Sequence, residues 1–106
     1  MVYYCGYLVR KDWLFQRAVE LGHSPTTPTS DIVSLASRDL MVQTGVYFYT
    51  RLRQVKTAKG TTFWCIAFAS NDPGEQLPTN APSEEKYKAL KEVLQKKGPP
   101  RWYRAY

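Results

Sequence analysis

The order of apolar and polar positions divides the chain into a few elements. Residues 2–9, VYYCGYLV, are β-branched and aromatic and are interrupted only by Gly6. Such a run predicts a strand apolar on both faces, and therefore central in a sheet. Gly6 within it marks a close approach by a helix or a ligand. In RKDWLFQRAVELG, Trp13, Leu14, Arg17, Ala18 and Leu21 recur at helical spacing, between a capping Asp12 and a terminating Gly22. That pattern predicts a first helix over 12–21. The segment HSPTTPTS at 23–30 has loop composition, and Thr29 or Ser30 at its end caps a second helix. Ile32, Leu35, Ala36 and Leu40 form the stripe of that helix, which ends near Thr44-Gly45.

GVYFYTRLRQVKTAKGTTFWCIAFAS, residues 45–70, reads as two strands and a turn. NDPGEQLPTNAPS is a long surface connection rich in turn residues. The last helix is capped by Ser83, with Glu84 and Glu85 at its positive end and Lys96 and Lys97 at its negative end. Gly98-Pro99-Pro100 stops it, and Tyr87, Leu90, Val93 and Leu94 form its buried stripe. The tail RWYRAY at 101–106 holds Trp102, Tyr103 and Tyr106, which are costly to leave in water, so it is expected to dock on the domain. The order β-α-α-β-β-α predicts an α+β fold: a small three-stranded, mainly antiparallel sheet with helices packed mostly on one face. One compact domain spanning 1–106, with 101–106 as a docked aromatic-basic tail, fits this length.

The hairpin register decides which side chains share a face, because a slip of one residue exchanges the faces of a strand. A three-residue loop, Ala58-Lys59-Gly60, with Gly60 in the left-handed conformation, places Val46, Phe48, Thr50 and Leu52 with Trp64, Ile66 and Phe68. It is preferred because it collects the apolar residues of both strands on one core face. The opposite face then carries Tyr47, Tyr49, Arg51, Arg53 and Val55 beside Phe63, Cys65, Ala67 and Ala69. A four-residue loop, Thr57 to Gly60, would move Trp64, Ile66 and Phe68 to the Tyr-Arg side.

Charge adds a polarity along the chain. Residues 1–44 are neutral overall, whereas 45–106 carry eleven Lys or Arg against five Asp or Glu, which accounts for the whole net charge of +6. A basic surface of this kind attracts anionic ligands, nucleic acid and acidic proteins. The 43% hydrophobic content excludes a disordered chain. No stretch has the length of a membrane span and no secretory leader pattern opens the chain, so a soluble, intracellular protein of cytoplasm or nucleus is expected. Cys5 and Cys65 lie in apolar strands and are expected to be buried thiols.

The search for chemistry is mostly negative. There is no P-loop, dinucleotide fingerprint or nucleophile elbow, and His23 is the only histidine. No catalytic residue, metal ligand or cofactor is assigned on these grounds. Ser24-Pro25 and Thr27-Pro28 match proline-directed phosphorylation dipeptides and equally suit turns. The eight-residue connection between the first two helices is too long for a helix-turn-helix. The RRM's aromatic-basic signature is absent from GVYFYTRL.

Aromatics interleaved with arginines on a strand face are nonetheless how single-stranded nucleic acids are commonly held. The first functional expectation is a small binding module for a polyanion or an acidic partner. Tyr47, Tyr49, Arg51 and Arg53 form its centre, and Lys56, Lys59, Arg101 and Arg104 its rim. A second is a small enzyme or cyclase-like pocket between sheet and helices, with Tyr as donor and Arg as anion clamp. A third is a homodimer formed through the sheet face.

Overall fold

The architecture is that of a computed structural model, which describes residues 1–22 and 29–106. The elements run β1 (Tyr3–Val9), α1 (Lys11–Glu20), α2 (Thr29–Gln43), β2 (Arg51–Lys56), β3 (Thr62–Ser70), α3 (Glu84–Leu94) and β4 (Arg101–Ala105), with short 3-10 turns at Tyr47–Tyr49 and Pro73–Glu75. The expected roles of His23, Ser24-Pro25 and Thr27-Pro28 fall outside the described residues.

The fold is α+β and antiparallel, but the described residues form four strands rather than three, because the tail is itself a strand. β4 pairs with β1 through Tyr3↔Arg104, Tyr4↔Tyr103, Cys5↔Trp102 and Gly6↔Arg101. It pairs with β2 through Val55↔Ala105 and Lys56↔Arg104. The sheet therefore closes on itself in the order β1-β3-β2-β4, and each strand has two neighbours. Closure satisfies the backbone groups that an edge strand would leave open.

The two faces of this curled sheet are packed differently. On the outside, Tyr7, Val9, Ile66 and Phe68 meet Leu14 and Ala18 of α1, Ile32, Val33, Ala36, Leu40 and Met41 of α2, and Tyr87 and Leu90 of α3. Leu35 of α2 is instead exposed at 37%, so the buried stripe of that helix includes Val33 and Met41 in its place. On the inside, Tyr4, Val55, Cys65, Ala67 and Leu77 are buried together, with Phe63, Tyr103 and Ala105 partly buried against them. Four strands leave a narrow interior, and the small residues at Gly6, Cys65 and Ala67 fit it. A Cβ on Gly6 would lie 2.1 Å from the carbonyl oxygen of Ile66, so the close approach this glycine permits is that of the neighbouring strand β3.

The hairpin has the expected three-residue loop. Thr57 donates its N–H to Thr61, Gly60 donates to Thr57, and Gly60 has φ +82°. The register Leu52↔Ile66 and Arg53↔Cys65 puts Leu52, Ile66 and Phe68 on the helix-covered face and Arg51, Arg53 and Val55 with Cys65 and Ala67 on the concave side. The strand does not extend back through the tyrosines, however. Tyr47, Phe48 and Tyr49 form a single 3-10 turn, held by Val46 N–H to Met41, Tyr49 N–H to Val46 and the Thr50 hydroxyl to the Val46 carbonyl. Val46 and Thr50 are buried at either end, whereas Phe48, expected in the core, is 89% exposed. A spacing of four satisfies both a strand's alternation and a helical turn, so the buried pair Val46 and Thr50 is compatible with either, and the turn leading out of α2 prevails.

α3 ends at Leu94, with Gln95 in the left-handed conformation, so Lys96 and Lys97 lie beyond the helix rather than in its last turn. α1 begins at Lys11, with Arg10 as the N-cap residue, and Asp12 falls within its first turn. Among the described residues, no helix is long and apolar enough to cross a membrane.

Candidate anion-binding surface

The eight basic and aromatic residues expected to form a site are dispersed by the fold into two groups. The four intended as its centre do not share a surface row. Tyr47 packs edge-on against Phe48, with ring centroids 5.4 Å apart, and Tyr49 lies under the Lys86 ammonium at 5.9 Å. Arg51 and Arg53 turn to the concave side of the sheet. Arg53 Nε donates to Glu75 Oε2 at 3.0 Å, and the Tyr4 hydroxyl donates to Glu75 Oε1 at 2.7 Å. These bonds tie the connection after β3 to the end of the sheet. The Tyr4 hydroxyl and the Arg53 guanidinium hold the Glu75 carboxyl below its usual range, against the opposing effect of burial. Burial, and then the bond to Glu75, push the Tyr4 phenol up. Arg53 is thus engaged in structure, and its side chain is only 37% exposed.

The four rim residues behave differently, because β4 brings three of them together. Cross-strand partners lie side by side on the same face, about 5 Å apart. The pairs Tyr3↔Arg104, Arg104↔Lys56 and Lys56↔Thr62 therefore run as one row across all four strands. Along β4 and its continuation the alternation places Trp102, Arg104 and then Tyr106, just past the strand end, on that same face, at steps of about 7 Å. Tyr106 continues the ladder by donating its N–H to Gln54 at 3.1 Å, and its ring lies 5.6 Å from the Lys56 ammonium. The result is an open groove of about 630 Å³ bordered by Tyr3, Lys56, Arg101, Trp102 and Arg104. Lys59 projects from the hairpin loop, whose neighbours Ala58 and Gly60 also border the groove.

No acidic side chain among the described residues lines this groove. Among the described residues, Lys56, Lys59, Arg101 and Arg104 have no carboxylate partner. Trp102 is 42% exposed, and Tyr3 and Tyr106 are exposed as well. Aromatic faces and unpaired cations thus alternate on a rigid strand surface, which is the chemistry that stacks planar groups and pairs with phosphates. The docking expectation for the tail concealed this signal. Trp102, Arg104 and Tyr106 stand at alternate positions in RWYRAY, and a strand reading of those six residues would have put them on one face.

Cys5 and Cys65 are free and fully buried, and burial pushes their thiols up to about 11 and about 12. Both are therefore protonated at neutral pH, opposite to an activated nucleophile. Among the described residues, no group of three or more His, Cys, Asp or Glu is placed to hold a metal ion. Comparison of the chain with protein-family models, with curated proteins and with solved structures finds no match in any of the three.

Proposed function

We propose that the protein is a binding module for a flexible anionic chain, single-stranded nucleic acid in particular, held on the outer face of β4 and its two neighbours. The reading is carried by one observation: Trp102 and Arg104 on β4 and Tyr106 just past its end stand at alternate positions, with Tyr3 and Lys56 beside Arg104 in register and no acid among the described residues lining the groove. Bases would stack on Trp102, Tyr3 and Tyr106, and phosphates would pair with Arg104, Lys56 and Arg101. The spread of cations over β2 and β4 favours a chain over a single small anion. Aromatic rings between them favour bases over a featureless polyanion.

The test is fluorescence anisotropy with a labelled single-stranded DNA 12-mer over a range of salt concentrations. The logarithm of affinity should fall with the logarithm of salt at about 0.7 per phosphate neutralised, a slope near 2 for three paired cations. Trp102→Ala should weaken binding by about 1 to 3 kcal/mol. Joint replacement of Lys96 and Lys97 by Ala, which removes charge outside this groove, should do little. Loss of binding in the lysine variant but not in Trp102→Ala would reduce the effect to general attraction by a basic protein. Equal competition by heparin would point to an acidic partner in place of nucleic acid.

A further inference from the structure

A second groove has a volume of about 470 Å³. It is lined by Phe63 and Trp64 of β3, Gln54 of β2, and Arg10, Lys11 and Asp12 at the start of α1. Gln54 is two residues before Lys56 on the same face of β2, so the two grooves are about 7 Å apart along that strand. Tyr106, bonded to the Gln54 carbonyl and lying against Lys56, stands between them.

The chemistry of this groove differs from that of its neighbour in one respect, the presence of a carboxylate. Asp12 Oδ1 accepts the Trp13 N–H at 3.0 Å and lies 3.4 Å from Arg10 Nε. Oδ2 has no partner among the described residues, and the side chain is 72% exposed. A carboxylate only accepts hydrogen bonds, so whatever occupies this position must present a donor. Gln54, which can donate or accept, stands directly across the β2–β3 pair from Trp64, a half-buried planar ring.

We propose that this groove holds one base of the bound strand against Trp64 and selects a base carrying an exocyclic amino group, cytosine over uracil. The inference rests on the single-strand reading above and adds a base preference to it. Cytosine directs its 4-amino group at Asp12 Oδ2, the pairing that acidic side chains make with this base. Uracil has a carbonyl oxygen at the same position, and its one donor on that edge, N3–H, lies between two carbonyls that the carboxylate repels. Arg10 and Lys11, which also line the groove, offset the carboxylate's charge and keep the adjoining phosphates in place.

Labelled 12-mers of oligodeoxycytidine and oligodeoxyuridine differ only at position 4 and N3 of each base and report on the pocket directly by anisotropy at pH 7.5. The wild-type protein should bind the cytidine oligomer about tenfold more tightly, the worth of one charge-assisted hydrogen bond. Asp12→Asn, at an exposed position that keeps an acceptor for the Trp13 N–H, should bring the ratio below about twofold. Trp102→Ala should weaken both oligomers alike and leave the ratio unchanged. Equal binding of the two oligomers by the wild-type protein, or a preference that survives Asp12→Asn, would overturn the pocket while leaving the β4 surface standing. Failure of both oligomers to bind would remove the surface and the pocket together.

Discussion

Replacing Gly6 by alanine adds one methyl group, and the structure makes its consequence large. The new carbon would lie 2.1 Å from the Ile66 carbonyl oxygen and 2.8 Å from Cys65 Sγ. Carbon–oxygen contacts in sheets run at about 3.3 to 3.6 Å, so β1 and β3 would have to part by more than about 1 Å. Neither can move alone, since β3 is paired on both sides, with β1 and with β2, and β1 is paired with β4 as well. Overpacking in a confined core costs about 1 to 3 kcal/mol, and a backbone atom as the obstacle puts this case at or above the upper end. The bare preference of a strand acts the other way, favouring alanine over glycine by about 0.5 to 1 kcal/mol. The two effects have opposite signs, which makes the measurement decisive. In urea, where slopes are about 1 to 3 kcal/mol per molar, a loss of about 3 kcal/mol lowers the midpoint by roughly 1 to 3 M. Gly98→Ala is the control, because nothing lies within 4 Å of its added carbon. A Gly6→Ala midpoint equal to or above the wild type would refute the close approach of β1 and β3.

Ile66→Ala should cost about 2 to 5 kcal/mol in denaturant melts, and Phe48→Ala less than about 0.5 kcal/mol, because Ile66 is fully buried and Phe48 almost fully exposed. A larger loss at Phe48 would place that ring in the core. Truncation after Pro100 removes β4 and opens the sheet, and calorimetry should show the melting temperature falling by about 4 to 8 °C for each kcal/mol lost. An unchanged transition would mean that β4 contributes nothing to closure. The Cys5 and Cys65 thiols titrate at about 11 and 12 when folded, against an ordinary value of 9.0, so the unfolded chain ionises first. Stability from this source is complete below pH 9 and declines as pH rises from 9 through 12. Melts recorded from about pH 8 upward should show that decline, and should show less of it in a variant with both cysteines replaced by alanine.

Local patterns with several agreeing signals were legible in the chain. The hairpin register followed from Gly60 together with the apolar set Leu52, Ile66 and Phe68, and α3 from its cap and stripe. Tyr47–Tyr49 misled because Val46 and Thr50 are four apart, a distance common to the two periods that distinguish strand from helix. β4 was obscured for another reason. Its five residues include two arginines and follow two prolines, and their strand conformation depends on partners in β1 and β2 that lie far back in the chain. The candidate surface inherits both effects. Lys56, Arg101 and Arg104 were legible as cations, but their meeting point could be seen only once β4 was paired. The aromatics that accompany them there, Trp102, Tyr3 and Tyr106, suit docking or core packing just as well by composition.

Closure by β4 also imposes an order on how the protein is made. The strand that seals the sheet comes after the other strands and helices, so until residue 105 has left the ribosome both β1 and β2 present one unpaired edge. β1 reads YYCGYLV, a seven-residue segment of high β propensity without charge or proline, the composition that pairs readily with other chains. A nascent or prematurely ended chain would display this edge, and one extended through β4 would cover it. Joining the first strand to the last also lengthens the loops that must close before the sheet is complete, which slows folding relative to a domain of local contacts. The proposed ligand surface is thus assembled only when β4 has been made, at the same moment as the edges of β1 and β2 are covered.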